Sequence, residues 1–143
     1  MPKNIPKAIY KHFSFQEGGQ PNFARMLSHF VPEGLFINNK GDNPLVKPLT
    51  DFVSFIKGNI DAGNILSIDE SEIANNVTLF GKVGHIASRY KLEAKSRNGV
   101  QTRYGVNLFQ VIRLGTEWKV SSMCWDDYPD QRLFEIDLSK ENA

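Results

Sequence analysis

The segment from Tyr104 to Tyr128 constrains this chain more than any other. Two long β-type runs meet there at one tight turn, Leu114-Gly115-Thr116-Glu117. A second hairpin signal, Asn98-Gly99, separates the run 89–95 from the run 102–113. Three successive antiparallel strands are therefore expected. Directly opposed residues share a sheet face, so the two turns decide which side chains lie together. A turn centred on Asn98-Gly99 opposes Tyr90 to Asn107, Ser88 to Phe109 and Ile86 to Val111. A turn centred on Gly115-Thr116 opposes Phe109 to Ser122, Asn107 to Cys124 and Val111 to Val120. One face then carries Ile86, Ser88, Tyr90, Arg103, Gly105, Asn107, Phe109, Val111, Val120, Ser122, Cys124 and Asp126. The other carries His85, Tyr104, Leu108, Ile112, Lys119, Ser121, Met123 and Trp125. A three-residue loop at either turn would change the parity and shift the assignment.

The first third reads as helical. Phe23, Met26, Leu27 and Phe30 repeat at i, i+3, i+4 and i+7, with Asn22 as cap and Pro32 just past the end. A shorter helix is expected over 7–13. Leu35, Phe36 and Ile37 form a brief strand before the turn-rich 38–44. Leu49, Phe52, Val53 and Ile56 mark another helix, with Gly58 as its stop. From Ile65 onward the pattern is strand. Amphipathic helices must bury their stripes, and the first sheet face is the natural place. The fold class is α+β, and the whole of 1–143 is expected to form a single domain.

Charge and composition exclude several partners. The 17 basic and 16 acidic residues leave a net charge of +1, without the basic stripe that phosphate binding requires. No apolar run approaches the ~20 residues that span a bilayer, and the N-terminus lacks the apolar core of a secretory signal. The single Cys124 excludes an internal disulfide framework. His12, His29 and His85 lack metal-ligand spacing, so neither metal nor cofactor is expected. The default is a soluble cytoplasmic protein that contacts no nucleic acid and no membrane.

Helices first, then a curved sheet ending in Gly-Val-Asn-Leu-Phe-Gln-Val-Ile-Arg and Trp-Lys-Val-Ser-Ser-Met-Cys-Trp-Asp-Asp, resembles the nuclear transport factor 2-like superfamily. Phe80-Gly-Lys-Val-Gly-His-Ile-Ala-Ser-Arg-Tyr90 and Pro32-Glu-Gly-Leu-Phe-Ile are similar to its SnoaL-like branch, and the resemblance runs from about Phe23 to Asp127. It implies a cone-shaped, cystatin-like fold in which N-terminal helices pack on a curved antiparallel sheet and enclose a pocket. Such proteins often dimerise through the sheet. The superfamily includes ketosteroid isomerases, scytalone dehydratases, polyketide cyclases and binding modules without known chemistry, so fold alone does not transfer activity.

On this reading Asp126 is the inward carboxylate, a general acid or base beside Tyr90, with Tyr10 a second candidate phenol. An Asp126 at the sheet end, paired with Arg103 or solvated, is the plainer alternative. Asn107, Phe109, Cys124 and Arg103 are candidate ligand-binding residues. Tyr90 and Asn107 could equally satisfy each other, and Cys124 could be a structural thiol. The isomerase pattern asks for a second early Asp that has no counterpart here, and the dehydratase pattern asks for inward histidines, whereas His85 falls on the outer face. The acidic cluster Asp69, Glu70 and Glu72 reads as a solvated strand edge. Leu108, Ile112, Met123 and Trp125 form an outer apolar patch, which implies a homodimer. Two functions remain open. One is a pocket for a small, largely apolar molecule with proton-transfer chemistry of the isomerase, dehydratase or cyclase kind. The other is a non-catalytic ligand-binding or dimerising accessory domain.

Overall fold

A computed structural model describes residues 1–130; the expected domain's remainder, 131–143, lies outside the described residues. After a short 3-10 turn at Pro2–Asn4 come α1 (Ile5–Phe13), α2 (Phe23–Leu27), β1 (Phe30–Asn38), β2 (Leu45–Pro48) and α3 (Leu49–Asp61). Four long strands follow: β3 (Ser67–Phe80), β4 (Val83–Ser96), β5 (Gly99–Leu114) and β6 (Glu117–Tyr128). With β1 and β2 they form, among the described residues, one curved, unclosed six-stranded sheet in the order β2-β1-β6-β5-β4-β3. Neighbours are antiparallel except β1 and β6, which run parallel. The fold is α+β, as expected. No helix among the described residues is long and apolar enough to cross a membrane.

The helices bury their apolar stripes on one face of this sheet. Ile9 and Tyr10 of α1, Phe23 and Met26 of α2, and Phe52 and Ile56 of α3 meet Ile86, Tyr90, Phe109, Val111 and Val120 in one core. Asn22 caps α2 as expected, its side chain accepting from the Arg25 amide at 3.1 Å. That helix ends early. The Val120 amide donates to the His29 carbonyl at 2.8 Å, which draws Phe30 into the sheet rather than into a further helical turn. Pro32 consequently sits inside β1, where its missing N–H coincides with a break in pairing to β6 between Phe30 and Leu35. Helix α3 continues through Gly58, because the left-handed position that terminates a helix falls on Gly63 (φ +77°).

The hairpins settle the sheet faces. The β5–β6 turn is centred on Gly115-Thr116 as expected, with Leu114 opposite Glu117 and Val111 opposite Val120. The β4–β5 turn lies on Arg97-Asn98, so Ile86 faces Phe109 and Tyr90 faces Gly105. That is a two-residue slide, which moves every pair and leaves the inner and outer faces intact. Strand β6 is different. Gln110 pairs with Ser122 while Val111 pairs with Val120, so Ser121 is an extra residue in a bulge. Beyond it the faces are exchanged. Met123, Trp125 and Asp127 point inward, and Ser122, Cys124 and Asp126 point outward. A second bulge at Ile73, between Glu72 and Ala74, does the same to the first half of β3.

The first bulge corrects the outer apolar patch. Met123 is buried and Trp125 packs against the core, so neither belongs to an exposed surface. Of that patch, Leu108 is about half exposed and Ile112 is partly buried.

Candidate active site

Between α1, α3 and the inner sheet face lies a cavity of about 210 Å³. Its apolar wall includes Ile9, Phe13, Phe36, Phe52, Ile56, Ile68, Met123 and Trp125, and its polar lining is Asn38, Lys40, Glu70, Tyr90, Asn107 and Asp127. Phe36 and Phe52 stack with ring centroids 3.9 Å apart, and Trp125 meets Phe52 edge-on at 6.4 Å.

Three adjacent strands build the polar end. Tyr90 of β4 stands opposite Gly105 of β5, and Gly105 stands opposite Asp127 of β6. Because Gly105 has no side chain, the Tyr90 hydroxyl reaches across it and donates to Asp127 Oδ2 at 2.8 Å. A Cβ at position 105 would lie 2.5 Å from both Asp127 Cβ and Tyr90 Oη. Arg103 completes the pair, with Nε donating to Asp127 Oδ1 at 2.7 Å and Nη2 to the Asp127 carbonyl at 3.0 Å. Lys40 Nζ lies 3.7 Å from Asp127 Oδ2. Asp127 itself is only 4% exposed, so its charge is held by these donors rather than by water. Burial, then the Asp127 charge, pushes the Tyr90 phenol well above the usual tyrosine range. Tyr90 is a neutral donor whose proton is committed to Asp127.

One row along, Ser88, Asn107 and Trp125 are aligned across the same strands. Tyr10 descends from α1 and donates to Ser88 Oγ at 2.8 Å, while Asn107 Nδ2 donates to Tyr10 Oη at 2.9 Å. Ser88 in turn donates to Glu72 Oε2 at 2.6 Å. This buried chain fixes the Asn107 amide at the cavity floor.

Glu70 is the group that sequence reasoning placed elsewhere. The Ile73 bulge turns Ile68, Glu70 and Glu72 inward, opposite Ala94, Leu92 and Tyr90. The Glu70 amide donates to Ser14 Oγ at 2.9 Å, tying β3 to the end of α1. Burial pushes the Glu70 carboxyl from 4.5 up to about 8; a hydrogen bond with Asn107 opposes the shift and the Asp127 charge adds to it. Glu70 is therefore mostly protonated at neutral pH.

Of the residues singled out from the sequence, Tyr90 and Asn107 line the cavity and Arg103 braces it through Asp127. Asp126 is exposed on the outer side of the bulge, and the inward carboxylate is its neighbour Asp127. Cys124 is moved outward by the same bulge and pairs with Leu108 and Ile37. Phe109 is fully buried in closed core, its ring 6.3 Å from Tyr10, rather than on the cavity wall. His12 and His29 stack on each other at 6.1 Å away from the cavity, and His85 is exposed. Among the described residues no group of three or more His, Cys, Asp or Glu side chains could hold a metal.

No family model matches this sequence, and no curated protein matches it. Solved structures do resemble it. An NTF2-like protein of unknown function from Methylobacillus flagellatus superposes with a TM-score of 0.53 at 14% identity, covering 87% of each chain. A protein of unknown function with a cystatin-like fold from Nostoc punctiforme gives 0.57 at 12% identity, covering 78% of this chain and 80% of that one. The hexachlorocyclohexane dehydrochlorinase LinA-type3 from Novosphingobium barchaimii gives 0.61 at 9% identity, covering 73% and 72%. At these identities the likeness establishes the NTF2-like, cystatin-like fold.

Proposed function

We propose that the cavity binds a small, largely apolar molecule and moves a proton on it, in an isomerisation, an elimination or a cyclisation. The observation that carries this reading is the place of Glu70, turned into a largely apolar cavity beside a fixed polar floor, where burial pushes its carboxyl up to about 8. A group whose pKa lies close to the working pH gives and regains a proton with little free-energy cost in either direction. In its protonated form Glu70 donates to a ligand carbonyl or leaving group. After transfer, its carboxylate recovers a proton from an adjacent carbon. Asp127 is a poor candidate for that exchange, since Arg103 and Tyr90 already occupy its oxygens. It serves as the fixed charge that positions Tyr90 and helps keep Glu70 protonated. The Novosphingobium barchaimii neighbour, named as a dehydrochlorinase, is consistent with elimination chemistry on this scaffold.

Glu70→Gln supplies the test. Deuterium exchange into enolisable ring ketones, followed by NMR, should slow by about a hundredfold or more in the variant. The wild-type rate of a step that uses the acid form should fall as pH rises through about 8. A difference infrared spectrum between wild type and variant should show a protonated carboxyl at pH 7 that disappears near pH 8. An ionised Glu70 at pH 7, or unchanged exchange in the variant, overturns proton transfer and leaves a cavity that only holds its ligand.

The same group shapes stability. In the unfolded chain Glu70 titrates near 4.5, and in the fold near 8. Below the lower value both states are protonated. Between the two the folded state alone keeps its proton, so stability declines as pH rises through this window. Allowing for the partly exposed carboxyl, the loss should be about 2–3 kcal/mol, and it should be absent from Glu70→Gln in denaturant titrations at pH 5 and pH 9.

A further inference from the structure

We infer that the cavity's ligand is a monocarboxylate on a single-ring apolar body, seated with its negative charge against Lys40. The inference deepens the reading above and rests on the cavity being a ligand site. Among the described residues that line the cavity, Asp127 is the carboxylate that Arg103 and Tyr90 already hold in direct contact, at 2.7 and 2.8 Å. Lys40 Nζ, at 3.7 Å, is beyond hydrogen-bond distance from the same carboxylate. It is therefore a second cation beside a charge that is already matched. Burial raises the Glu70 carboxyl to about 8, which favours its neutral form at the same end of the cavity. Lys40 therefore offers a cation at the edge of a largely apolar cavity, where an incoming carboxylate gains more than it would in water.

Position and size narrow the class. Lys40 stands just after β1, its side chain 36% exposed, so the ammonium is at the cavity mouth rather than its floor. The body of the ligand then lies inward, against the stacked Phe36 and Phe52 and the edge-on Trp125. Aromatic rings pack on one another in offset and edge-to-face arrangements, which suits a planar ring. A volume of about 210 Å³ is smaller than the ~300–1,000 Å³ of pockets that take drug-sized ligands. One ring and a short tail fill it.

Three probes of equal shape and different charge decide the matter: trans-cinnamate, cinnamamide and cinnamylamine, titrated calorimetrically into the full chain at pH 7. Cinnamate should bind at least about tenfold more tightly than cinnamamide, with the amine weakest. In Lys40→Met, shown by circular dichroism to keep its fold, that preference should fall to within about twofold while amide affinity stays unchanged. Equal binding of acid and amide, tighter binding of the amine, or a preference that survives Lys40→Met overturns the inference. Equal acid and amide binding, with quenched tryptophan fluorescence, would leave the ligand cavity standing and sink only the anion. Failure of all three probes to bind or to change the fluorescence would overturn both.

Discussion

Gly105→Ala should lower stability by about 3 kcal/mol in denaturant unfolding and disorder the polar end of the cavity. Alanine in place of glycine commonly stabilises by about 0.4–1 kcal/mol through the unfolded chain, where the backbone allows it. Gly105 has no positive φ, so its backbone conformation is open to alanine. Contact decides the sign instead. The added methyl would meet the Asp126 carbonyl oxygen at 2.6 Å as well as Asp127 Cβ and Tyr90 Oη at 2.5 Å. Tyr90 can rotate away at the expense of its bond to Asp127, but the backbone oxygen moves only with the strand. Near-ultraviolet circular dichroism should report the loss of ordered tyrosine. A variant with unchanged stability and spectrum would mean that the close crossing of Tyr90 over Gly105 does not exist in solution.

Asp127→Ala should cost about 3 kcal/mol, chiefly because Arg103 and Tyr90 are left facing an empty partner position. Arg103 is partly exposed and can turn toward water, which keeps the loss from being larger. A specific non-additivity is expected. In Asp127→Ala combined with Arg103→Met, the guanidinium is no longer left without its carboxylate, and Lys40 is exposed enough to turn to water, so the double variant should be more stable than the sum of its two single losses by at least about 1 kcal/mol. Strict additivity would show that the pair is solvated rather than buried.

Much of this fold is legible in the sequence because its signals are local. The strand runs, the Gly115-Thr116 turn, the Asn22 cap and the helical stripe of α3 all follow from spacing and turn chemistry within a few residues. Even the misplaced β4–β5 turn is harmless, since a slide of two residues preserves alternation. The site is a different matter. Ser121 and Ile73 each add one residue to a long antiparallel run, and neither carries a glycine, proline or turn motif that marks it. The first exchanges Asp126 for Asp127 and outward Trp125 for inward Trp125. The second turns Glu70 from a solvated edge into a partly buried acid on the cavity wall. Gly105 was the available clue, because a glycine in mid-strand marks a close approach by something large. Asp127, directly across from it, is what approaches.

The spare residues in β3 and β6 act as phase shifters. They let the same two hairpins that fasten the sheet's far end with Val111, Val120 and Val77 offer acids and an indole at its near end. The chemistry available inside this molecule is thus set by how many residues precede a given position, as much as by which residue occupies it. Losing either spare residue would leave composition, charge and turns nearly untouched while replacing the interior's reactive groups with their neighbours. In this scaffold, single-codon deletion is a shorter route to a new interior than any point substitution.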